Sequence, residues 1–201
     1  MTGSDPAAEP TWDEKILVLD RVLAEQGLQY AFGGAIALNY HREPRSTLDI
    51  DINIFVAPEE GEAVLGALAR AFPLADRPAL EAEIAREGQA RARWGTTFVD
   101  LFLSSTAFHR SMVERIERQP FADRLIPVLS IEDLLVCKAL FDRPKDWVDL
   151  EAVVATRGGE LDREYIIRWL GHFLDGRDHR YRKAKAILSR LGNQDGRPTT
   201  G

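Results

Sequence analysis

At 201 residues, 45 % apolar and 29 % charged with a net charge of −6, the chain suits one compact domain or a core with a small appendage. The acidic balance argues against a general nucleic-acid coating protein but leaves room for a local basic groove. The single cysteine, Cys137, excludes an internal disulfide and suits a reducing cytoplasm, and no apolar run approaches the ~20 residues that span a bilayer.

Residues 1–10 have neither the basic start nor the apolar core of a signal peptide and read as a disordered leader. Thr11 and Glu14 form a capping-box pair that predicts a helix over Trp12–Glu25, with Trp12, Ile16, Leu19 and Leu23 on its apolar face. Leu28–Phe32 reads as a strand, Gly33-Gly34 as its stop, and Ala35–Tyr40 as the first turns of a helix. A glycine pair between a strand and a helix lets backbone N–H groups approach a ligand at the positive helix end, which suits phosphate. After the polar stretch His41–Thr47, the run D-I-D-I-N-I alternates strictly. Asp49, Asp51 and Asn53 therefore share one strand face, and Ile50, Ile52 and Ile54 the other. Two carboxylates ~6 Å apart repel by about 3 kcal/mol at an effective dielectric of ~20. Proton sharing, a basic partner or a divalent cation would offset that.

Pro58 predicts a helix running to about Phe72. Residues 75–93 are less distinct, with a helical reading over Leu80–Arg91 whose apolar face is thin. Thr96–Ser104 reads as a strand, with Val99, Leu101 and Leu103 on one face and Phe98, Asp100 and Phe102 on the other. An Asp among large apolar residues is not a comfortable core residue. Either it is exposed on an edge strand, or it lies beside the D-I-D strand as a third carboxylate. Ala107–Glu117 reads as a helix and Arg124–Leu129 as a short strand. Ser130, with Glu132 and Asp133, caps a helix through Leu140, whose apolar side carries Leu134, Leu135, Phe141 and Lys138. A rim lysine more often snorkels to water. Asp162–Leu174 and Tyr181–Leu191 carry helical spacing, and Arg177–Arg190 holds six Lys or Arg against one Asp. Such a charge run is usually a solvated face, and beside a nucleotide-transfer core it becomes a surface for RNA phosphates. The tail after Gly192 reads as disordered.

The order Gly33-Gly34, then Arg45-x-Thr47-x-Asp49-Ile50-Asp51, resembles the nucleotidyltransferase fold of the DNA polymerase β superfamily, and most closely the AbiEii/MenT-like nucleotidyltransferase toxins. Many relatives carry Ser or Thr at or just after the second glycine. Here Ala35 follows Gly34, so a hydroxyl contact to phosphate is absent or comes from Ser46 or Thr47. Leu134-Leu135-x-x-Lys138, followed by R-P-K-D-W-V-D-L-E-A-V, resembles the group's lysine and aspartate segments. The likeness spans residues 30–56 and 96–153. It implies an α/β (α+β) fold: a small mixed sheet in a nucleotidyltransferase core over residues 11–129, and a helical bundle over 130–192.

The resemblance further implies transfer of a nucleoside monophosphate from an NTP with Mg²⁺ (or Mn²⁺). In that scheme Asp49, Asp51 and Asp100 hold the metal, and Asp100 can also take the proton of the attacking hydroxyl. Gly33, Gly34, Arg45, Thr47 and Lys138 hold the nucleotide. Asp149, or Asp146 in another register, supports Lys138. For a toxin the implied acceptor is RNA, the tRNA 3′ end, and the implied partner a cognate antitoxin, with no membrane involved. Two alternatives stand beside this. Small-molecule (antibiotic) nucleotidyltransferases tend to show G-G-W-A-I-D and a histidine two residues before the first acid. Here Gly34 is followed by Ala-Ile-Ala-Leu, and Thr47 holds the histidine's place. A non-catalytic binding protein on the same fold is the other, and the presence of all three acids and the lysine counts against it.

Overall fold

The structure, a computed structural model, describes residues 9–43 and 47–190. Residues 1–8, the segment 44–46 with Arg45 and Ser46, and the tail from 191 lie outside it. The chain divides into two compact units, one from the described residues of 1–36 and 46–128, the other from those of 37–45 and 129–201.

The first unit carries a mixed sheet. Its strands are β1 (Tyr30–Phe32), β2 (Ile50–Ile54), β3 (Gln89–Trp94), β4 (Thr97–Leu103), β5 (Glu117–Phe121) and β6 (Arg124–Val128), in spatial order β3-β4-β2-β1-β6-β5. β2 pairs parallel with β4 and β1 parallel with β6, and the remaining pairs are antiparallel. The helices are α1 (Trp12–Glu25), α2 (Gly34–Leu38), α3 (Gly61–Leu68) after a single 3-10 turn at Pro58–Glu60, α4 (Arg77–Glu87) and α5 (Ala107–Glu114). The expected α/β class with a small mixed sheet is what the chain adopts.

The capping box opens α1: Glu14 N–H donates to the Thr11 hydroxyl at 3.3 Å, and Thr11 N–H to the Glu14 carboxylate at 2.7 Å. Alternation sets the core. Ile50, Ile52 and Ile54 of β2 and Val99, Leu101 and Leu103 of β4 are all buried, as are Ile16, Leu19 and Leu23 of α1 and Val64, Leu65 and Leu68 of α3. Phe72 stacks on Trp94 with ring centroids 4.7 Å apart. Lys15 is buried as well, and donates to the Trp94 carbonyl and the Thr97 hydroxyl, each at 3.0 Å. Glu9 is its ion-pair partner and also accepts the Thr96 N–H at 3.0 Å, so the chain's ninth residue is tied to the turn between β3 and β4.

Two strands correct the sequence reading. The helical reading over Leu80–Arg91 ends at Glu87, and β3 follows it. Alanine favours helix in isolation, but here Ala90, Ala92 and Trp94 alternate into the core while Gln89, Arg91 and Arg93 face out. Gly88 and Gly95, both in the left-handed region at φ +67° and +61°, turn the chain at the two ends of the strand. The helix read to Glu117 stops at Glu114, and Glu117–Phe121 pairs with β6 instead. Pro120 is tolerated because β5 is the outermost strand.

The second unit is helical where it is described beyond residue 128: α6 (Ile131–Phe141), α7 (Pro144–Arg157), α8 (Arg163–Phe173) and α9 (His179–Ser189). Residues 144–157, to which sequence reasoning gave no element, form α7, with Pro144 in its first turn. The Ser130 hydroxyl caps α6 by accepting the Asp133 N–H at 3.3 Å, and donates to the Asp133 carboxylate at 2.7 Å. The Tyr165 hydroxyl donates to the other oxygen of that carboxylate at 2.5 Å, joining α8 to α6. Leu135, Leu150, Val153, Ile166 and Leu170 supply the core. Phe141, expected on the apolar side of α6, is 47 % exposed. The next residue, Asp142, takes a left-handed conformation at φ 56° and ends the helix.

One half-buried group in the first unit gives a pH test. His109 of α5 lies among the rings of Phe55 and Phe108, and burial pushes its imidazole down to about 4 from an ordinary value of 6.5. The unfolded chain therefore binds the extra proton, so this contribution is full above pH ~6.5 and is lost as pH falls towards ~4. His109→Gln should reduce the pH slope of unfolding free energy across that window, measured by urea denaturation at stepped pH. An unchanged slope would show that His109 stays hydrated.

Candidate active site

The site begins with a register. Parallel pairing sets Ile50 beside Val99, Asp51 beside Asp100 and Ile52 beside Leu101. Both strands alternate in the same phase, so their apolar residues share the buried face and the two aspartates stand side by side on the other. Asp49 lies one residue before β2, on the same side by alternation. The Thr47 hydroxyl accepts the Asp49 N–H at 3.2 Å and holds the chain where it enters the strand.

The glycine pair closes against Asp51. The Gly33 N–H donates to the Asp51 carbonyl at 2.9 Å. Gly34 sits at φ +50°, and a Cβ there would lie 1.8 Å from Asp51 Oδ2. No side chain fits at this position, so glycine is required by both conformation and space. The Gly33 N–H is thus already used, and the first amides of the five-residue α2 lack partners within that helix.

Arg91 of β3 is directly opposite Asp100. Its Nε and Nη2 donate to the two Asp100 oxygens at 2.6 and 2.7 Å, a fork-to-fork pair. That hydrogen bonding, reinforced by the charges of Asp100, Asp49 and Asp51, raises the guanidinium pKa further. One cation thus lies within the field of all three predicted carboxylates. Among the described residues no three His, Cys, Asp or Glu side chains stand gathered around one ion-sized space, and both Asp100 oxygens are engaged by Arg91. The donor set is nonetheless oxygen-only and anionic, the chemistry that Mg²⁺ and Mn²⁺ select, and Asp49, Asp51 and Asp100 could hold such an ion. Arg91 was missed from sequence because its strand was. The signal was there in Gly88-Q-A-R-A-R-W-Gly95, a period-2 run between two glycines.

In the second unit, Lys138 is 5 % exposed and donates to Asp146 at 3.0 Å and to Asp149 at 2.7 Å. Arg42 donates to Asp149 at 2.7 Å and Arg143 to Asp146 at 2.6 Å. Burial pushes the Asp146 carboxyl up, but the hydrogen bonds from Arg143 and Lys138 outweigh it and hold it below the ordinary range. The two aspartates between which sequence left a choice both hold the lysine. The basic helix α9 spends part of its charge internally. Arg180 pairs with Asp178 at 2.8 Å and donates to the Leu140 carbonyl, Lys183 lies 4.3 Å from the Trp147 ring centroid, and Arg190 faces Glu151 at 3.6 Å. Arg45 lies outside the described residues.

This arrangement of glycine turn, paired strand aspartates and buried lysine–aspartate cluster accompanies a family match. Residues 17–197 match the family described as Nucleotidyl transferase AbiEii toxin, Type IV TA system. The chain belongs to this family. It is an enzyme of the nucleotidyltransferase class. Its fold is similar to that of the antibiotic-resistance factor ANT(2″)-Ia in solution, at a TM-score of 0.57 and 13 % identity, covering 92 % of this chain and 98 % of that one. An antigenic nucleotidyltransferase-like protein from Paracoccidioides brasiliensis is 16 % identical over 88 % of this chain and 87 % of that one, at a TM-score of 0.45. No curated protein matches the sequence.

Two substitutions probe these contacts. Gly34→Ala should cost about 1–3 kcal/mol of backbone strain in urea unfolding. By displacing Asp51 it should also slow nucleotidyl transfer about a hundredfold; transfer at the parent rate would mean that the contact is dispensable. Lys138→Ala removes one partner from each of two buried carboxylates, which keep Arg42 and Arg143, and should destabilise the chain by about 1–3 kcal/mol. A loss well under 1 kcal/mol in the same assay would show that water reaches the cluster.

Proposed function

We propose that the protein transfers a nucleoside monophosphate from an NTP to RNA, at the tRNA 3′ end, in a reaction dependent on Mg²⁺ or Mn²⁺, as the toxin of a toxin-antitoxin pair. Membership of the AbiEii family supports the toxin setting. The observation that carries the chemistry is the parallel pairing of Asp51 with Asp100 beside Gly34. Asp49, Asp51 and Asp100 would hold the divalent ion, which when bound would neutralise the triphosphate and stabilise the attacking and leaving oxygens.

The remaining steps belong to the chain's own groups. The amides after Gly33 orient a phosphate from the β1 side. Thr47 fixes the entry to β2 and with it Asp49. Asp100 accepts the proton of the attacking hydroxyl on one carboxylate oxygen, while the fork of Arg91 keeps that carboxylate aimed. Lys138, held by Asp146 and Asp149, is the second unit's own candidate cation for phosphate, in line with the family's lysine segment. Asp51 and Asp100 are needed for chemistry, Lys138 first for the integrity of its own unit. Among the described residues no helix is long and apolar enough to cross a membrane, and the lone cysteine suits work in a reducing cytoplasm.

Incubation with each labelled NTP, Mg²⁺ and total RNA tests this. Label should enter RNA with one preferred NTP, chelation by EDTA should stop it, and Asp51→Asn or Asp100→Asn should lower it at least about a hundredfold. Label passing to an added small-molecule antibiotic in place of RNA would favour the alternative reading.

A further inference from the structure

The strand order sorts the site into sides. From β1 outward the sheet runs β1-β2-β4-β3. The glycine turn follows β1, Asp51 is on β2, and Asp100 is on β4. The glycine turn and the proposed proton acceptor therefore lie on opposite sides of Asp51. On the side of Asp100 away from the glycine turn stands β3, the outermost strand of the sheet.

That edge has a distinct chemistry. Phe98, two residues before Asp100 and on its face of β4, is 36 % exposed. The guanidinium carbons of Arg91 and Arg93, both on the outward face of β3, lie 5.0 and 5.7 Å from its ring centroid. Arg93 is directly opposite Phe98, and its Nε donates to the Gly95 carbonyl at 2.8 Å. Arg91 is paired with Asp100, so the positive charge left to the exposed ring is that of Arg93. Ring and guanidinium together offer a π-face for a base and fixed positive charge for phosphate, the pairing that single-stranded nucleic acid uses.

We propose that Phe98 and Arg93 form the acceptor subsite, taking the 3′ end of a single-stranded RNA with its terminal base on the Phe98 ring and a backbone phosphate on Arg93. The proposal rests on the transfer reaction proposed above. It assigns acceptor binding to a strand hairpin of the first unit, where sequence reasoning looked to the basic helix α9. Arg91, engaged by Asp100, is a neighbour of the subsite and not its probe.

The test titrates the full chain with a fluorescein-labelled, 3′-hydroxyl RNA heptamer by anisotropy at several salt concentrations. NTP binding and thermal melting are measured in parallel. Phe98→Ala should weaken RNA binding roughly tenfold, and Phe98→Trp should keep it. Arg93→Gln should weaken it and take about 0.7 off the log–log salt slope. NTP affinity and melting temperature should stay at the parent values in all three, which separates a binding role from simple hairpin stabilisation. If the parent labels RNA while Phe98→Ala and Arg93→Gln bind it equally well, the subsite is wrong and the reaction stands. If the parent neither binds nor labels RNA, the RNA acceptor and this subsite fall together.

Discussion

Two carboxylates on adjacent parallel strands are the constraint around which the first unit is arranged. Neighbouring strands lie about 4.8 Å apart, so Asp51 and Asp100 repel by several kcal/mol unless a cation stands close. The burial of Ile50, Ile52, Ile54, Val99, Leu101 and Leu103 imposes that proximity. A one-residue slip of either strand would turn its aspartates into the core. The apolar half of the sheet thus holds the polar half in an arrangement it would not adopt alone. Arg91 answers the charge with a forked pair, and Gly34 answers the space by having no side chain where Asp51 stands.

The second unit handles charge in a different way. Lys138, Asp146 and Asp149 are buried together, with Arg42 and Arg143 at the margin. Such a cluster contributes little net stability, since desolvation offsets most of its attraction. Its geometric effect is clearer: two aspartates fix one ammonium on α6 through a helix, α7, that begins only three residues after α6 ends.

Much of this was legible in the chain. The D-I-D-I-N-I run names its own faces, and T-T-F-V-D-L-F-L does the same, because period-2 alternation of large β-branched, aromatic and acidic residues fits nothing else. The glycine pair and the capping boxes report local backbone needs directly. What was not legible depends on pairing and packing partners, even where these lie close in the chain. Q-A-R-A-R-W holds two alanines and two arginines, residues that suit a helix and mask its period-2 run, and pairing with β4 decides for the strand. Arg91 was lost with that strand, and with it the cation that balances Asp100. E-R-Q-P-F gave no strand signal either, being polar and interrupted by Pro120 at the sheet's edge. For Lys138 the bare pattern favours a lysine that reaches water, whereas the family's lysine and aspartate segments point to Asp149 or Asp146 as its support, and both aspartates hold it.

The central claim is that Asp51 and Asp100 form an oxygen-donor site for a divalent cation, next to a glycine turn, in place of a merely structural pair. Electron paramagnetic resonance of free Mn²⁺ measures this most directly, by titrating the ion into the parent chain and into Asp51→Asn and Asp100→Asn, with and without NTP. The account predicts saturable Mn²⁺ binding to the parent that tightens with NTP and weakens at least tenfold in either variant, each change of tenfold corresponding to about 1.4 kcal/mol. Equal Mn²⁺ binding by all three chains, or none by the parent even with NTP, would contradict it.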